Sequence, residues 1–216
     1  MGTTDDQLRI RRLPERGSHD RDTAYAIIDA AIVGHVGTIR DGRPLVLPMF
    51  CARDGDLLLM HGAPASGTIR RGRDMDVCVT MTLLDGMVLA RSSFHHSFNY
   101  RSVTIVGTAT VIRDEADRGR ALSAITDHLA PGRDAQLRPM TTEELRQTAV
   151  LELPLERFST KVRTGPPGDD EADYDYPVWA SVLPITTTIG EPQPDERLAD
   201  GIEIPAHIEE LSGKEL

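Results

Sequence analysis

The sequence predicts a mainly β, α+β fold: an antiparallel β-barrel with flanking helices. Two observations carry this reading. Three Asp-Gly pairs (Asp41-Gly42, Asp54-Gly55 and Asp85-Gly86) each stand between runs of alternating apolar and polar residues. Both residue types tolerate the positive φ of a two-residue hairpin turn, and such turns join only antiparallel neighbours. Second, the alternating runs outnumber the about six strands at which a sheet of this kind tends to close and hide its edges.

The elements follow in order. Residues 1–20 form a polar arm. Tyr25, Ile28 and Ile32 then recur at i, i+3 and i+7, one face of a helix, with Asp22 as its cap and Gly34 as its stop. After Gly34 the period changes to two. Strands are predicted at 35–40, 44–51, 56–61, 77–83, 87–92, 102–113, 149–153 and 158–163. Asp114 opens a helix whose Leu122, Ile125 and Leu129 share a face, ending at Pro131-Gly132. Thr141 and Glu144 have the spacing of a capping box, opening a short helix to Gln147. Beyond Pro184 proline and acidic residues dominate without periodicity, which predicts a loosely held tail. The expected division is an arm at 1–20, a folded domain at 21–185 and a tail at 186–216.

Composition narrows the classes. A chain of 216 residues, 39% hydrophobic and 27% charged, is sized and balanced for one globular domain with tails. No apolar run approaches the ~20 residues of a membrane span, and the polar, Arg-rich start has no stretch resembling a signal peptide. Cys51 and Cys78 both sit in strand-like runs and cannot build a disulfide framework, so a reducing, cytoplasmic compartment is expected. A net charge of −10 argues against nucleic acid as partner. Arginines nonetheless cluster at 9–16 and 70–73, while lysine occurs only at Lys161 and Lys214.

Three segments read as more than scaffold. The stretch 61–71 follows a strand and is rich in glycine and small residues. His61, Gly62, Ser66 and Thr68 offer backbone and hydroxyl donors there, and Arg70 and Arg71 offer planar forks suited to phosphate. A loop with two solvated arginines is the plainer reading. The stretch 91–102 gathers His95, His96, Asn99, Tyr100 and Arg101 among aromatic rings, a set suited to a flat, polar-edged heterocycle. No metal is expected there, because adjacent residues on a strand point to opposite faces and no Cys or carboxylate stands at ligand spacing. A Ser–His nucleophilic pair lacks a Gly-x-Ser-x-Gly elbow. Third, Lys161 and Arg163 lie one strand face apart and aim two cations the same way, upstream of Trp179, which is either a plug for the barrel or a ligand wall.

Taken together, these phrases resemble the flavin-binding split barrels of the pyridoxamine 5′-phosphate oxidase-like superfamily, nearest their nitroimidazole-resistance (Nim-like) branch. The resemblance rests on Gly34-His-Val-Gly37, Gly42-Arg-Pro-Leu-Val-Leu-Pro48, Phe94-His-His-Ser-Phe-Asn-Tyr-Arg-Ser-Val103 and Lys161-Val-Arg-Thr-Gly-Pro-Pro-Gly168, in order over roughly residues 11–185. It implies a split β-barrel homodimer with two FMN molecules at the subunit interface. It implies that Val46, Leu47 and Pro48 edge the isoalloxazine ring with main-chain groups, and that 61–71 holds the ribityl phosphate. Gly67 stands where relatives often carry a basic residue, which shifts weight onto Arg70 and Arg71. Trp179 of the partner subunit would face the pocket, and Asn99, Arg101, Lys161 and Arg163 complete the cofactor set.

The expected activity is an FMN-dependent reductase, fed by a nicotinamide donor and acting on a small planar substrate such as a nitroaromatic. The cofactor carries the electrons, and His95, His96 or Tyr100 donates a proton or touches substrate. Three alternatives stay open. One is a haem-binding member with His61 or His96 as axial ligand; the others are a non-catalytic flavin-binding protein and a member that binds F420.

Overall fold

The structure, a computed structural model, describes residues 6–62 and 74–216. Its strands are β1 (Gly17–Ser18), β2 (Val33–Arg40), β3 (Arg43–Asp54), β4 (Leu57–Gly62), β5 (Met75–Leu89), β6 (Ser97–Val111), β7 (Ala149–Pro154), β8 (Phe158–Arg163) and β9 (Ser181–Pro184). The helices are α1 (Arg21–Ala30), α2 (Glu115–Leu129), α3 (Thr142–Gln147) and α4 (Ala206–Glu209). Every strand pairing is antiparallel. The order β6-β7-β4-β3-β2-β5, closed by β5 on β6, makes a six-stranded barrel, with β8 and β1 branching from β6 and β9 from β5.

The barrel is split because two long strands change partners along their length. In β3, Arg43 to Phe50 pair with Arg40 back to Val33 of β2, whereas Cys51 to Asp54 pair with β4. In β6, Tyr100 to Ile105 pair with β8, whereas Thr110 and Val111 pair with β7. A single chain of alternating residues thus serves two sheets.

The interior is filled from both ends. Ala24, Ile27 and Ile28 of α1 enter the barrel core with Val36, Met60, Met81, Ile105 and Leu153, most of them fully buried. Each such large side chain stabilises by about 1.5–3 kcal/mol through burial. Helix α2 lies outside, where Ala121 and Ile125 pack on Ala52, Leu59 and Val150. It therefore covers β3, β4 and β7 and leaves the outer face of β2, β5 and β6 without a helix.

Several sequence expectations are corrected in detail. Helix α1 is capped by Asp20, whose side chain accepts from the Thr23 N–H, and not by Asp22, which falls in the first turn. It ends at Ala30, so Ile32 is outside it. Asp41-Gly42 turns with φ of 51° and 74°, as a hairpin requires. Asp85-Gly86 does not turn. Here β5 runs on to Leu89, with a bulge between Leu84 and Gly86 in its pairing with β6. Gly86 is there for room: a Cβ would sit 3.1 Å from the Leu183 carbonyl oxygen of β9. The real β5–β6 turn is the stretch 91–96, and β6 begins at Ser97, so the Phe98-Asn-Tyr-Arg101 phrase is strand.

Both ends of the described chain are held by contacts of their own. Leu8 is buried, β1 pairs with β8, and His19 Nδ1 donates to the Phe158 carbonyl at 2.8 Å. The tail, expected to be loose, closes on itself: Ile189 N–H donates to the Lys214 carbonyl and Leu216 N–H to that of Thr187, each at 2.9 Å. No helix is long and apolar enough to cross a membrane among the described residues.

Candidate functional site

Strand alternation builds an outer face. Residues paired across the sheet share a side, so Val33, His35, Gly37 and Ile39 of β2 stand beside Phe50, Pro48, Val46 and Pro44 of β3. Thr80 of β5 pairs with both His35 and Thr104, and Thr82 pairs with Ser102. Farther along, Tyr100 pairs with Arg163 and Ser102 with Lys161. The face therefore changes character across its width, from apolar at β2 and β3, through rows of hydroxyls at β5 and β6, to cations at β8.

Ile39 is 69% exposed, Val46 59%, Leu84 50% and Phe98 49%. A sheet side that only meets water alternates towards polar residues, and large apolar side chains exposed on one face mark a candidate binding surface. A groove of about 760 Å³ opens on this face, lined by Gly37, Ile39, Val46, Cys78 and Val106 among others.

The two remaining segments singled out in the sequence meet at one edge of this face. The turn 91–96 and the strap that follows β8 are clasped together. Asp169, with its side chain fully covered, accepts from the Arg91 N–H and the Arg91 guanidinium, each at 2.9 Å. Arg91 also lies 4.9 Å over the Tyr174 ring. His95 Nε2 stands 3.5 Å from Asp170, and Asp173 joins them with all three ligand atoms within 4.8 Å of one another. Asn99 donates to the Gly165 carbonyl at 3.1 Å and accepts from Arg163. Arg163 is buried and donates further to Gly165 and Pro166 carbonyls.

The predicted residues fall into distinct places. Val46 and Pro48 point outward, while Leu47 pairs with Val36 on the inner side. Tyr100 and Lys161 belong to the outer face and Arg163 to its buried edge. His96 is exposed in the turn, its Nδ1 2.8 Å from the Ser92 carbonyl. A carbonyl only accepts, so Nδ1 carries the proton and the neutral ring keeps its lone pair on Nε2. His95 and His96 are turn residues, and the strand geometry that separated them in the sequence reading does not apply. Arg101 is committed to Asp85, with Nη2–Oδ1 at 2.7 Å. Trp179 is 66% exposed just ahead of β9.

His61 and Gly62 end β4. His61 faces away from the open strip, towards α2, in edge contact with Phe50, which also meets the ring of His128. Burial holds His128 below the usual imidazole range against the opposing pull of Asp29. Ser66, Thr68, Arg70 and Arg71 lie outside the described residues.

Cys51 is no nucleophile, since burial pushes its thiol up to about 12. The sequence reading did not single out His35, whose side chain lies exposed at mid-face with no side-chain hydrogen bond to a described residue. The signal was present: the alternation that exposes Ile39 also exposes His35.

Comparison with known proteins accords with this geometry. The family model described as pyridoxamine 5′-phosphate oxidase matches residues 20–162. The flavocytochrome Anf3 from Azotobacter vinelandii is 38% identical and superposes with a TM-score of 0.92, covering 98% of this chain and 99% of that one. The FAD and haem binding protein from Mycobacterium smegmatis is also 38% identical, with a TM-score of 0.87 over 93% of this chain and 98% of its own. A proposed 5-nitroimidazole antibiotic resistance protein from Bacteroides thetaiotaomicron is 25% identical, with a TM-score of 0.56 over 68% and 86% of the two chains. No curated protein matches.

Proposed function

For this chain, which belongs to the pyridoxamine 5′-phosphate oxidase family, we propose a redox protein that binds a flavin and a haem on the outer sheet face of a homodimer. The exposed apolar residues of this face carry this reading. Ile39 and Val46 are exposed at one end of the face that α2 leaves open and Leu84 and Phe98 at the other, with Thr80, Thr82, Ser102 and Thr104 between them. Such a face fits a flat ring system, a second copy of the chain, or both.

FMN was the flavin expected from sequence. Two relatives that are 38% identical over nearly the whole of this chain are described instead as a flavocytochrome and as an FAD and haem binding protein, which supports FAD as the flavin and haem as the second group.

The residues present fit both. When bound, the flavin supplies two-electron chemistry and the haem one-electron chemistry. Thr80, Thr82, Ser102 and Thr104 offer hydroxyls to a polar ring edge. His96 meets the usual requirement for an axial ligand, because its Nδ1–H is held by the Ser92 carbonyl and its Nε2 lone pair is left for iron. His35 offers a second imidazole at mid-face. His61, the other axial candidate from sequence, turns towards α2 and is the weaker of the three. Tyr100 and His95 border the same face and remain the candidates for moving a proton to substrate.

The test is the visible spectrum of the purified protein, before and after adding FAD, FMN and haemin, with the released flavin identified. Flavin bands near ~450 nm together with a Soret band near ~400 nm are expected. The Soret band should shift or vanish in His96→Ala or His35→Ala. A flavin spectrum that never acquires a Soret band on reconstitution would remove haem and return the protein to a flavin-only reductase.

A further inference from the structure

We infer that His95, Asp170 and Asp173 form a binding site for a divalent transition-metal ion of the zinc class, where the β5–β6 turn meets the strap. Local backbone geometry brings the two carboxylates together. Glu171–Asp173 is a single 3-10 turn, and the Asp173 N–H donates to the Asp170 carbonyl at 2.9 Å. Side chains three residues apart eclipse on such a turn. Asp170 also occupies the N-cap position, where an aspartate ordinarily accepts from the backbone of the first turn, yet its side chain makes no such bond. The carboxylates meet His95 instead, with the three ligand atoms within 4.8 Å of one another.

The imidazole opposite them is held but not satisfied. Phe94 meets the His95 ring edge-on, with centroids 5.1 Å apart. Nε2 has less than 1 Å² of exposed surface and no hydrogen-bond partner among the described residues. A covered nitrogen in this state is unfavourable unless something reaches it. Asp170 Oδ2 stands 3.5 Å from it. That spacing is long for a hydrogen bond but suits two ligands of one ion, since ligands at about 2.0–2.1 Å on a tetrahedral ion stand about 3.4 Å apart. A plain His–Asp ion pair explains less. It uses one carboxylate, whereas two converge here, and like charges so close repel unless a cation lies among them.

The ligand set identifies the class of ion. One imidazole with two carboxylates is a mixed nitrogen and oxygen set that suits zinc or a neighbouring first-row ion, and three protein ligands leave a position open for water. Calcium and magnesium favour oxygen alone. The Arg91–Asp169 clasp ties the same turn to the same strap at the residue before Asp170, so the ligands are held together without the ion. The sequence reading excluded a metal because no carboxylate stands near the two histidines along the chain; the carboxylates arrive instead from the strap. With an ion on Nε2, His95 is a ligand, and the proton-moving role considered for it passes to Tyr100.

The test titrates full-length protein, cleared of loose metal with EDTA and otherwise as purified, with Zn²⁺ alone in a non-chelating buffer, read by calorimetry. Wild-type protein should bind zinc. His95→Ala and the double variant Asp170→Asn/Asp173→Asn should each lose at least tenfold in affinity. Glu171→Gln, which removes a neighbouring carboxylate outside the ligand set, should lose none. Circular dichroism checks the fold of each variant. Wild-type protein that takes up no zinc, or either folded ligand variant binding it as tightly, overturns the site. Calcium bound as tightly as zinc and indifferent to His95→Ala also overturns it, because the strap would then be an acidic patch that collects cations. No flavin or haem signal enters the measurement, so either result leaves the cofactor reading untouched.

Discussion

Asp169 holds Arg91 by two contacts of equal length, 2.9 Å to its backbone N–H and 2.9 Å to its guanidinium, across 78 residues of sequence. The contact joins the β5–β6 turn, which carries His95 and His96, to the strap after β8 that leads to Trp179. Desolvation alone would raise the carboxyl of Asp169. The two donors from Arg91 and its charge outweigh it, and the group lies below its ordinary value of 3.8.

The sign of the pH dependence follows. A carboxyl with a depressed folded pKa contributes stability that is fully present above the unfolded value and is lost as pH falls through the folded one. The clasp should therefore persist through pH 3.8 and release only below it. Trp179, the single tryptophan, reports on the strap by its fluorescence. Asp169→Asn should shift its emission at neutral pH while far-ultraviolet circular dichroism stays unchanged. A wild-type emission change centred at or above the ordinary carboxylate value would mean that Arg91 does not hold the strap.

Gly34 exposes a second dependence, this time in the core. A Cβ there would sit 2.7 Å from Cys51 Sγ and 3.1 Å from Val79 Cγ1. Cys51 is fully buried, so neither neighbour can swing out to water. Gly34→Ala should cost about 1–3 kcal/mol through overpacking, read as a lower urea midpoint with an unchanged m-value. Pairing it with Cys51→Ala should recover part of the loss. A neutral Gly34→Ala would mean that the β2–β3 pair can spread locally.

The barrel was legible because its signals are local. The period-two runs, the Asp41-Gly42 turn and the Thr141–Glu144 capping box each lie within a few residues, and the last two form as read. Asp85-Gly86 misled because the same dipeptide that makes a turn also supplies the room a bulge needs, and only β9, about a hundred residues later, decides between them. The site was legible as three segments but not as an assembly. That Asn99 meets Arg163, or that Asp170 approaches His95, depends on pairings 60–80 residues apart. Arg101 shows the limit from the other side: a cation that suited a cofactor is committed to Asp85, sixteen residues upstream. His35 shares the face of Ile39 by strand alternation, but only its pairing with Thr80 of β5 places it at mid-face.

The outer face gives the most direct test of the dimer. Ile39 and Val46 are 69% and 59% exposed on neighbouring strands, so a charge at either position leaves the barrel core alone. Surface substitutions of this kind change folding stability by no more than about 0.5 kcal/mol. Within a dimer interface, however, an unpaired carboxylate would be stripped of water without compensation. Ile39→Glu and Val46→Glu should therefore keep the wild-type thermal midpoint of the isolated subunit, sediment as monomers where the wild type sediments as a dimer, and retain less flavin. If both variants remain dimers with full cofactor content, the strip faces solvent and the subunits join elsewhere. If they become monomers yet keep their flavin, one subunit is sufficient for the site, and the strip then serves association alone.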